Sequence, residues 1–289
     1  MLKHLNETPC RPSRVVILGA TGFVGRYLQA QLEAEKIDVL GLGSKQLDLA
    51  SRDASAKLCE ILRKDDTLVL AACLTRDRGD DLPTFVRNIN IAEQTGLAIE
   101  KAGCSHLIYL SSDAVYKEGP SPLREDSECS PAGLYAMAQF ARETMMAHST
   151  GKAKVPLAIL RICAVYGNGD AHNGYGPNRF ARMAAGTGRI TLFGEGEETR
   201  DHIYVKDVAR IIALVAAHRS TGLVNVVTGK AVSFMEAAQA VGRVMNVRVE
   251  GTPRKNAITH KPFDNAELLK AFPTFAFTPL ERGVEEAWR

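Results

Sequence analysis

Three closely spaced glycines near the start of the chain constrain its fold most strongly. The apolar run Val15–Leu18 is followed by Gly19, Gly22 and Gly25, and then by apolar residues at helical spacing. This is the order of a buried strand, a tight turn and a helix. Such a turn points backbone N–H groups and the positive end of a helix at one place, where a pyrophosphate can approach. The pattern predicts a nucleotide-binding turn, although a glycine-rich turn that binds nothing can share this spacing.

The composition narrows the class of protein. The chain has 289 residues, enough for one large domain or two modest ones. Its net charge of +3 is too small and too dispersed to indicate a nucleic-acid partner. Its apolar stretches are too short to span a membrane. Six widely spaced cysteines form no metal-binding pattern, which indicates incidental thiols in a reducing cytoplasm.

Strand and helix signals alternate along the first half of the chain. Residues 1–13 have no signal-peptide features, and we expect a flexible leader there. Over residues 14–165 the alternation predicts an α/β Rossmann domain with a doubly wound parallel sheet. Residues 166–289 are richer in Gly, Asn and Pro, and predict a small mixed α/β part that binds substrate. Within it, residues 201–228 are expected to return to the Rossmann sheet.

Further motifs follow the glycine turn in order. Ser111–Tyr116 come directly after an apolar strand, so Ser112 is expected at the carboxyl edge of the sheet. Asn88 lies in the predicted helix before that strand, and Tyr135 lies in the predicted helix after it. Two longer motifs complete the series, Leu-Arg-Ile-Cys-Ala-Val-Tyr-Gly at 160–167 and Arg-Asp-His-Ile-Tyr-Val-Lys-Asp-Val-Ala at 200–209.

In this order, the motifs resemble the extended short-chain dehydrogenase/reductases, the NAD(P)-dependent epimerases, dehydratases and reductases of sugar nucleotides. The resemblance covers nearly the whole chain and implies a nicotinamide cofactor that exchanges a hydride with a sugar. It implies that Ser112 holds the reacting oxygen and that Tyr135 is the acid or base. Together with the turn, it implies a set of cofactor contacts: Gly19, Thr21, Gly22, Phe23, Val24, Gly25, Asn88, Tyr135 and Gln139.

The chain departs from this family four residues after the tyrosine, where Gln139 replaces a lysine. In the family that lysine lowers the pKa of the tyrosine and holds the nicotinamide ribose. An amide can still bond a ribose hydroxyl, but it has no charge to stabilise a phenolate. Three interpretations stay open: an active enzyme with a relaxed catalytic group at 139, a catalytically silent NADP(H)-binding regulatory subunit, or an enzyme in which another cation substitutes. Lys117 is one candidate cation, although an exposed lysine is the simpler interpretation.

The same departure bears on the direction of the reaction. Oxidation begins by removing a proton from an alcohol, whereas reduction needs a neutral phenol that donates one, and free tyrosine is neutral near neutral pH. The pair Asp113-Ala114 also lacks the Asp-Glu of the family's 4,6-dehydratases. The resemblance therefore implies a reductase or epimerase of a nucleotide-activated sugar, with 4-ketoreduction favoured.

The end of the predicted second strand bears on the choice of cofactor. It reads Gly43-Ser44-Lys45, without the acid that NAD-binding relatives use for the ribose 2′-hydroxyl. A hydroxyl and a cation suit a 2′-phosphate, so we expect NADP(H) in preference to NAD(H). Asp48 and Leu49 are expected near the adenine, and Ala71 and Ala72 beside the cofactor.

Several residues of the later motifs are assigned to the substrate by the resemblance. Arg200 is expected to bind the nucleotide diphosphate, since a guanidinium suits bidentate contacts with phosphate. The other expected substrate contacts are Asp113, Asn178, Phe180 and Leu192, and His172 is a further candidate acid. A reductase of a non-nucleotide carbonyl compound is the alternative. We expect no nucleic-acid, membrane or metal partner. The sequence leaves open whether the protein forms a homodimer.

Overall fold

A seven-stranded sheet forms the centre of the computed structural model, which describes residues 1–117, 119, 122–254 and 257–289. In spatial order its strands are β1 (Lys3–His4), β10 (Ser220–Val226), β6 (Leu157–Ile162), β5 (His106–Ser112), β4 (Asp66–Leu70), β2 (Arg14–Leu18) and β3 (Val39–Leu42). Strand β1 pairs antiparallel with β10, whereas the other neighbours are parallel. This confirms the predicted doubly wound parallel sheet.

Helices cover both faces of this sheet. One face carries α1 (Phe23–Ala34) and α6 (Val205–Ala217), and the other carries α2 (Ala54–Ile61), α3 (Leu82–Ala102) and α4 (Leu134–Ala153). Strand β2 shows why both faces are apolar, because its successive side chains alternate between the two cores. Val15 and Ile17 pack with α1 and α6, whereas Val16 and Leu18 pack with α2, α3 and α4.

The remaining elements build two small sheets and a third core. One sheet contains β11 (Ala231–Ser233), β9 (Thr199–Tyr204) and β7 (Ala164–Tyr166), and the other pairs β12 (Arg248–Thr252) with β8 (Arg189–Phe193). The helices of this part are α5 (Pro177–Thr187), α7 (Phe234–Met245) and α9 (Leu280–Trp288). Helix α8 (Ala266–Ala271) instead packs its Leu268 side chain in the core with α1 and α6. Between β9 and β11 the chain returns to the central sheet as α6 and β10. No helix in the described part of the chain is long and apolar enough to cross a bilayer.

The first residues correct our expectation of a flexible leader. Lys3–His4 pairs with the outer edge of β10, and the His4 ring stacks on His218 with centroids 4.3 Å apart. The Asn6 N–H donates to the His218 carbonyl at 3.0 Å. An exposed sheet edge has free hydrogen-bonding groups that a passing segment can pair with. The polar composition of residues 1–13 does not reveal that the edge of β10 is available to pair with them.

The strand order also fixes where a ligand can approach. Strands β3 and β4 flank β2. The connection that leaves β2 runs to one side, towards β3, whereas the connection that leaves β4 runs to the other side, towards β5. Such a switch point opens a crevice at the edge of a doubly wound sheet. Gly19, Gly22 and Gly25 follow β2 directly at this point.

Candidate active site

The glycine turn has the backbone geometry that a dinucleotide requires. Gly19 adopts φ +93°, a conformation that L side chains disfavour. A Cβ at Gly25 would lie 2.2 Å from the Gly19 carbonyl oxygen, so only glycine allows this approach of helix to turn. Gly22 is the N-cap of α1, and no side chain caps the helix, all of which lies in the described part of the chain. Its first N–H groups therefore remain available to a pyrophosphate.

The end of β3 lies beside this turn. The N–H groups of Gly19 and Ala20 donate to the Leu42 carbonyl at 2.8 and 3.2 Å. Just beyond, Ser44 and Lys45 are both exposed, as a contact with a ribose phosphate needs. Asp48 is exposed as well.

Leu49, which we expected near the adenine, offers no exposed side chain for a contact there. It is buried, and its side chain packs in the core with α2, α3 and α4. Only its backbone is left for the expected contact with the adenine.

The loop after β4 borders the turn on its other side. A Cβ at Gly19 would lie 2.7 Å from the Ala72 nitrogen, so these two backbones are in close contact. Asn88 exchanges two hydrogen bonds of 2.9 Å with the backbone of Leu74. It thereby orders the loop beside Ala71 and Ala72. Its direct contact with a cofactor stays a prediction.

Ser112 and Tyr135 are close neighbours, as the motifs predict. Ser112 ends β5, and Tyr135 lies in the first turn of α4. Burial raises the pKa of the Tyr135 phenol above its ordinary value and the nearby Cys73 raises it further, whereas the Ser112 hydroxyl lowers it. The phenol is therefore protonated at neutral pH, beside a hydroxyl that can hold the same oxygen.

Gln139 lies one helical turn after Tyr135. Its Nε2 is 3.4 Å from the Tyr135 hydroxyl, a long hydrogen bond. Its Oε1 accepts from Arg142 Nη1 at 3.0 Å and from the Tyr109 hydroxyl at 3.2 Å. A guanidinium can only donate, so these contacts require the amide oxygen to face Arg142. The amide N–H groups must then face Tyr135.

Three cationic side chains lie near Tyr135 and Ser112, and the sequence analysis did not predict any of them as a site residue. Arg142 lies behind Gln139, the Arg76 guanidinium lies 5.6 Å from the centroid of the Tyr135 ring, and Lys261 Nζ lies 3.1 Å from the Asp113 carboxylate. Arg142 is three residues after Gln139, a spacing that puts both on one helix face and is readable in the sequence. Lys261 comes from a distant loop, and no local pattern signals it.

Lys117, the cation considered from the sequence, lies elsewhere. It forms an exposed ion pair with Glu128 at 3.0 Å. His172 Nδ1 lies 3.3 Å from Asp77 Oδ1, so the His172 loop meets the short turn that carries Arg76.

The predicted substrate residues are largely engaged within the protein. Arg200 donates to the carbonyl and the hydroxyl of Thr259 at 2.6 and 2.8 Å. Asn178 accepts from the Gly167 N–H at 2.9 Å and donates to the Val165 carbonyl at 3.0 Å, which orders the chain after β7. Both assignments to a substrate stay predictions.

Two of the predicted substrate contacts need correction. Phe180 and Leu192 are both 0% exposed and belong to the third core, so neither side chain faces a ligand. Strand alternation explains Leu192, because its neighbour Phe193 points outward and is 53% exposed. Phe193 stacks on Tyr175 with ring centroids 5.1 Å apart, so it is the aromatic surface at this position.

Comparison with known proteins agrees with this geometry. The model of the NAD dependent epimerase/dehydratase family matches residues 15–227, which is most of the chain. The chain belongs to this family. The match runs from β2 to the residue after β10 and so contains the glycine turn, Ser112, Tyr135 and Arg200.

Individual family members are more distant. The dTDP-4-dehydrorhamnose reductase of Mycobacterium tuberculosis is 28% identical over 214 residues, 71% of this chain and 66% of the reductase, just under two thirds of its length. The methionine adenosyltransferase 2 subunit beta of Xenopus tropicalis is 31% identical over 163 residues, 54% of this chain and 48% of that subunit. The crystal structure of a GDP-L-fucose synthetase from Naegleria fowleri has the same fold, with a TM-score of 0.87, 19% identity, and coverage of 99% of this chain and 96% of that one.

Proposed function

We propose that this protein is an NADP(H)-dependent reductase or epimerase of a nucleotide-activated sugar, with reduction of a 4-keto group as the favoured reaction. The observation that carries the proposal is the half-buried, protonated Tyr135 phenol between Ser112 and Gln139. The similarity to a dTDP-4-dehydrorhamnose reductase supports the same direction.

The chain's own residues handle the proton. The Ser112 hydroxyl donates a hydrogen bond to the carbonyl oxygen of the substrate, and Tyr135 gives its O–H proton to that oxygen. Burial disfavours the phenolate, so Tyr135 is a donor ready for reduction and a poor base for oxidation. The nicotinamide, when bound, supplies the hydride. Water then returns a proton to Tyr135.

The rim of the glycine turn supports NADP(H) in preference to NAD(H). The exposed Ser44 and Lys45 offer a hydroxyl and a cation at the end of β3. Neither they nor Gly43 is an acid that would repel a 2′-phosphate.

The nucleotide of the substrate would lie on the substrate side of the site. We assign Arg200 to its diphosphate and the exposed face of Phe193 to its base. Asn178 would support this side by ordering the chain after β7. Asp113 is adjacent to Ser112 and paired with Lys261, and we assign this ion pair to the sugar.

The surroundings of the enzyme are part of the proposal. We assign it to the cytoplasm, because its six free, widely spaced cysteines suit a reducing compartment. Helices α3 and α4 expose apolar side chains that suit a homodimer, namely Val86, Leu97, Met137 and Phe140.

A catalytically silent NADP(H)-binding subunit is the second candidate. Gln139 and the similarity to a methionine adenosyltransferase subunit favour it. It retains the glycine turn and needs no proton transfer at Tyr135.

One experiment separates the two candidates. Wild type and the variants Tyr135→Phe and Ser112→Ala are mixed with NADPH and dTDP- or UDP-linked 4-keto sugars, and NADPH oxidation is followed by absorbance. We expect turnover by wild type and a loss of roughly 10²- to 10⁴-fold in Tyr135→Phe, the usual contribution of general acid catalysis. NADPH binding without turnover of any 4-keto sugar nucleotide would favour the silent subunit. Turnover of simple ketones alone would favour a non-nucleotide carbonyl substrate.

A further inference from the structure

Arg142 is a buried cation without an anionic partner. Its side chain is 0% exposed. It donates to Gln139 Oε1 at 3.0 Å and to the Ala72 carbonyl at 2.6 Å, and its guanidinium lies 5.3 Å from the centroid of the Tyr109 ring. Its Nε meets no hydrogen-bond partner in the part of the chain that the structure describes. Within the described residues, no carboxylate forms an ion pair with it. All of its partners are thus neutral.

The neighbouring buried arginine behaves differently. Arg161 donates to both carboxylate oxygens of Glu143, at 3.0 and 2.7 Å. Glu143 directly follows Arg142 in the sequence, yet its side chain is bound by Arg161 and Ser111. The same helix therefore carries one neutralised ion pair and one uncompensated cation. Burying a charge without a counter-charge is strongly unfavourable, so the second arrangement needs a functional reason.

We propose that Arg142 takes over the electrostatic role of the family's lysine and acts on the Tyr135 oxygen through the amide of Gln139. Arg142 is thus a positioning residue, whereas Tyr135 and Ser112 are the catalytic residues. The inference rests on the proposed reduction. It accounts for the glutamine, because an amide can accept from the cation on one side and donate to the phenol on the other.

The arrangement suits the charge that develops during proton transfer. As the Tyr135 O–H bond breaks, the proton moves to the substrate oxygen and the electron pair stays on the phenol oxygen. The Gln139 N–H donates to that oxygen, and the amide is polarised by Arg142. The low polarity around the buried Arg142 and Gln139 side chains strengthens this electrostatic interaction.

The other groups facing Tyr135 do not replace this cation. Cys73 and Asp113 oppose a negative charge on the phenol, and the buried Tyr109 does the same. Lys261 is already paired with Asp113. Arg76 lies over the ring face but is exposed to solvent, which screens its charge.

A charge-swap cycle tests the proposal. The variants are Arg142→Met, Arg142→Lys, Gln139→Lys and the double variant Gln139→Lys/Arg142→Met, with Lys117→Met as a matched control that removes an exposed cation. Each is measured for kcat, for KM of the 4-keto sugar nucleotide, for the pH dependence of both directions, and for Tm with and without NADPH.

We expect Arg142→Met to lower kcat by roughly 10- to 100-fold with little change in KM, the usual effect of losing a charge-assisted hydrogen bond. The alkaline fall of reduction should move to higher pH, and the reverse oxidation should lose more than the reduction. Arg142→Lys should recover part of kcat. Gln139→Lys alone places two cations together and should lower Tm. The double variant should regain kcat relative to both single variants and Tm relative to Gln139→Lys, and Lys117→Met should match wild type.

The proposal is overturned if Arg142→Met keeps the wild-type kcat and pH profile, or if the two single substitutions are additive in Tm and kcat. If wild type turns over no 4-keto sugar nucleotide, the proposed function fails, and the Tm cycle of the unliganded protein still decides the inference. Non-additive Tm changes would then support the inference that a cation at position 142 replaces one at position 139. Additive changes would overturn that inference.

Discussion

The two sides of the candidate site use different chemical groups. On the side of the glycine turn, the ligand-facing groups are backbone N–H groups at the uncapped start of α1. On the proposed substrate side they are side chains, and those of the two residues we assign there, Arg200 and Asn178, already bond to other parts of the chain. The backbone groups are therefore free before any ligand arrives, whereas the side chains that we assign to the substrate would have to exchange internal partners for it.

This difference has a physical origin. Backbone N–H groups at a helix start have no partner within the helix, and they stay free unless a side chain caps them. A polar side chain that is partly buried must find a partner, because leaving it without one is costly. We expect substitutions on the turn side to act through sterics, and substitutions on the substrate side to act through the loss of individual contacts.

The largest expected effect is on the turn side. In Gly25→Ala, the new Cβ would lie 2.2 Å from the Gly19 carbonyl oxygen and 2.9 Å from Ala20 Cα, both backbone atoms. We expect the turn to open, so that NADPH no longer raises Tm, with a stability loss of at least about 1–3 kcal/mol. Gly186→Ala is the control, because a Cβ there meets nothing within 4 Å. A normal NADPH shift in Gly25→Ala would refute the steric role of this glycine.

A pH experiment compares the stability of the central sheet with that of the small sheet that contains β9. Burial lowers the pKa of His106 in β5 and of His202 in β9 to about 4. The unfolded chain, with histidine pKa values near 6.5, binds more protons between about pH 6.5 and pH 4. The free energy of unfolding should therefore be fully present above about pH 6.5 and fall towards pH 4, by at most about 3 kcal/mol for each histidine. Urea unfolding across this range measures it.

Single variants assign this loss to each of the two sheets. His106 Nε2 donates to the Ser220 carbonyl at 2.7 Å, whereas His202 Nε2 has no hydrogen-bond partner among the residues that the structure describes. His202→Leu should therefore flatten the acid loss at little cost near neutral pH, and His106→Leu should flatten it but lose stability throughout. The exposed His148→Leu is the control. An unchanged slope in both buried variants would show that carboxylates cause the acid loss.

The next prediction concerns the substrate side alone. Arg200→Ala should weaken binding of a nucleoside diphosphate sugar by roughly 10- to 100-fold, since a charge-assisted contact contributes about 1.5–3 kcal/mol. NADPH affinity should stay nearly the same. Titration calorimetry with both ligands measures this, and the exposed Lys230→Ala is the matched control. Equal losses for both ligands would mean that Arg200 has a structural role through Thr259.

The smallest expected effect tests the rim of the turn. Lys45→Ala should reduce the preference for NADPH over NADH by about fivefold, as expected for an exposed ionic contact worth about 1 kcal/mol. Lys64→Ala removes another exposed lysine and should change nothing. A wild-type preference for NADH would contradict the assignment of Ser44 and Lys45 to a 2′-phosphate.

Local spacing in the sequence determined the backbone features of this protein. The order of strand, glycines and helix predicted the turn after β2, and strand–helix alternation predicted the doubly wound sheet, because both depend on residues close together in the chain. Helical spacing also put Tyr135 and Gln139 one turn apart on α4. These features can be predicted without knowing which residues pack against them.

Only the tertiary structure decided which side chains are free and what surrounds them. It gave Lys3–His4 an edge strand to pair with, and it turned Leu192 inward and Phe193 outward. It also placed Arg142 behind Gln139 with no carboxylate, while Glu143 turned to Arg161 on a neighbouring strand. Such partners come from distant parts of the chain, so hydrogen bonds and charges at the site follow from packing that local sequence patterns do not encode.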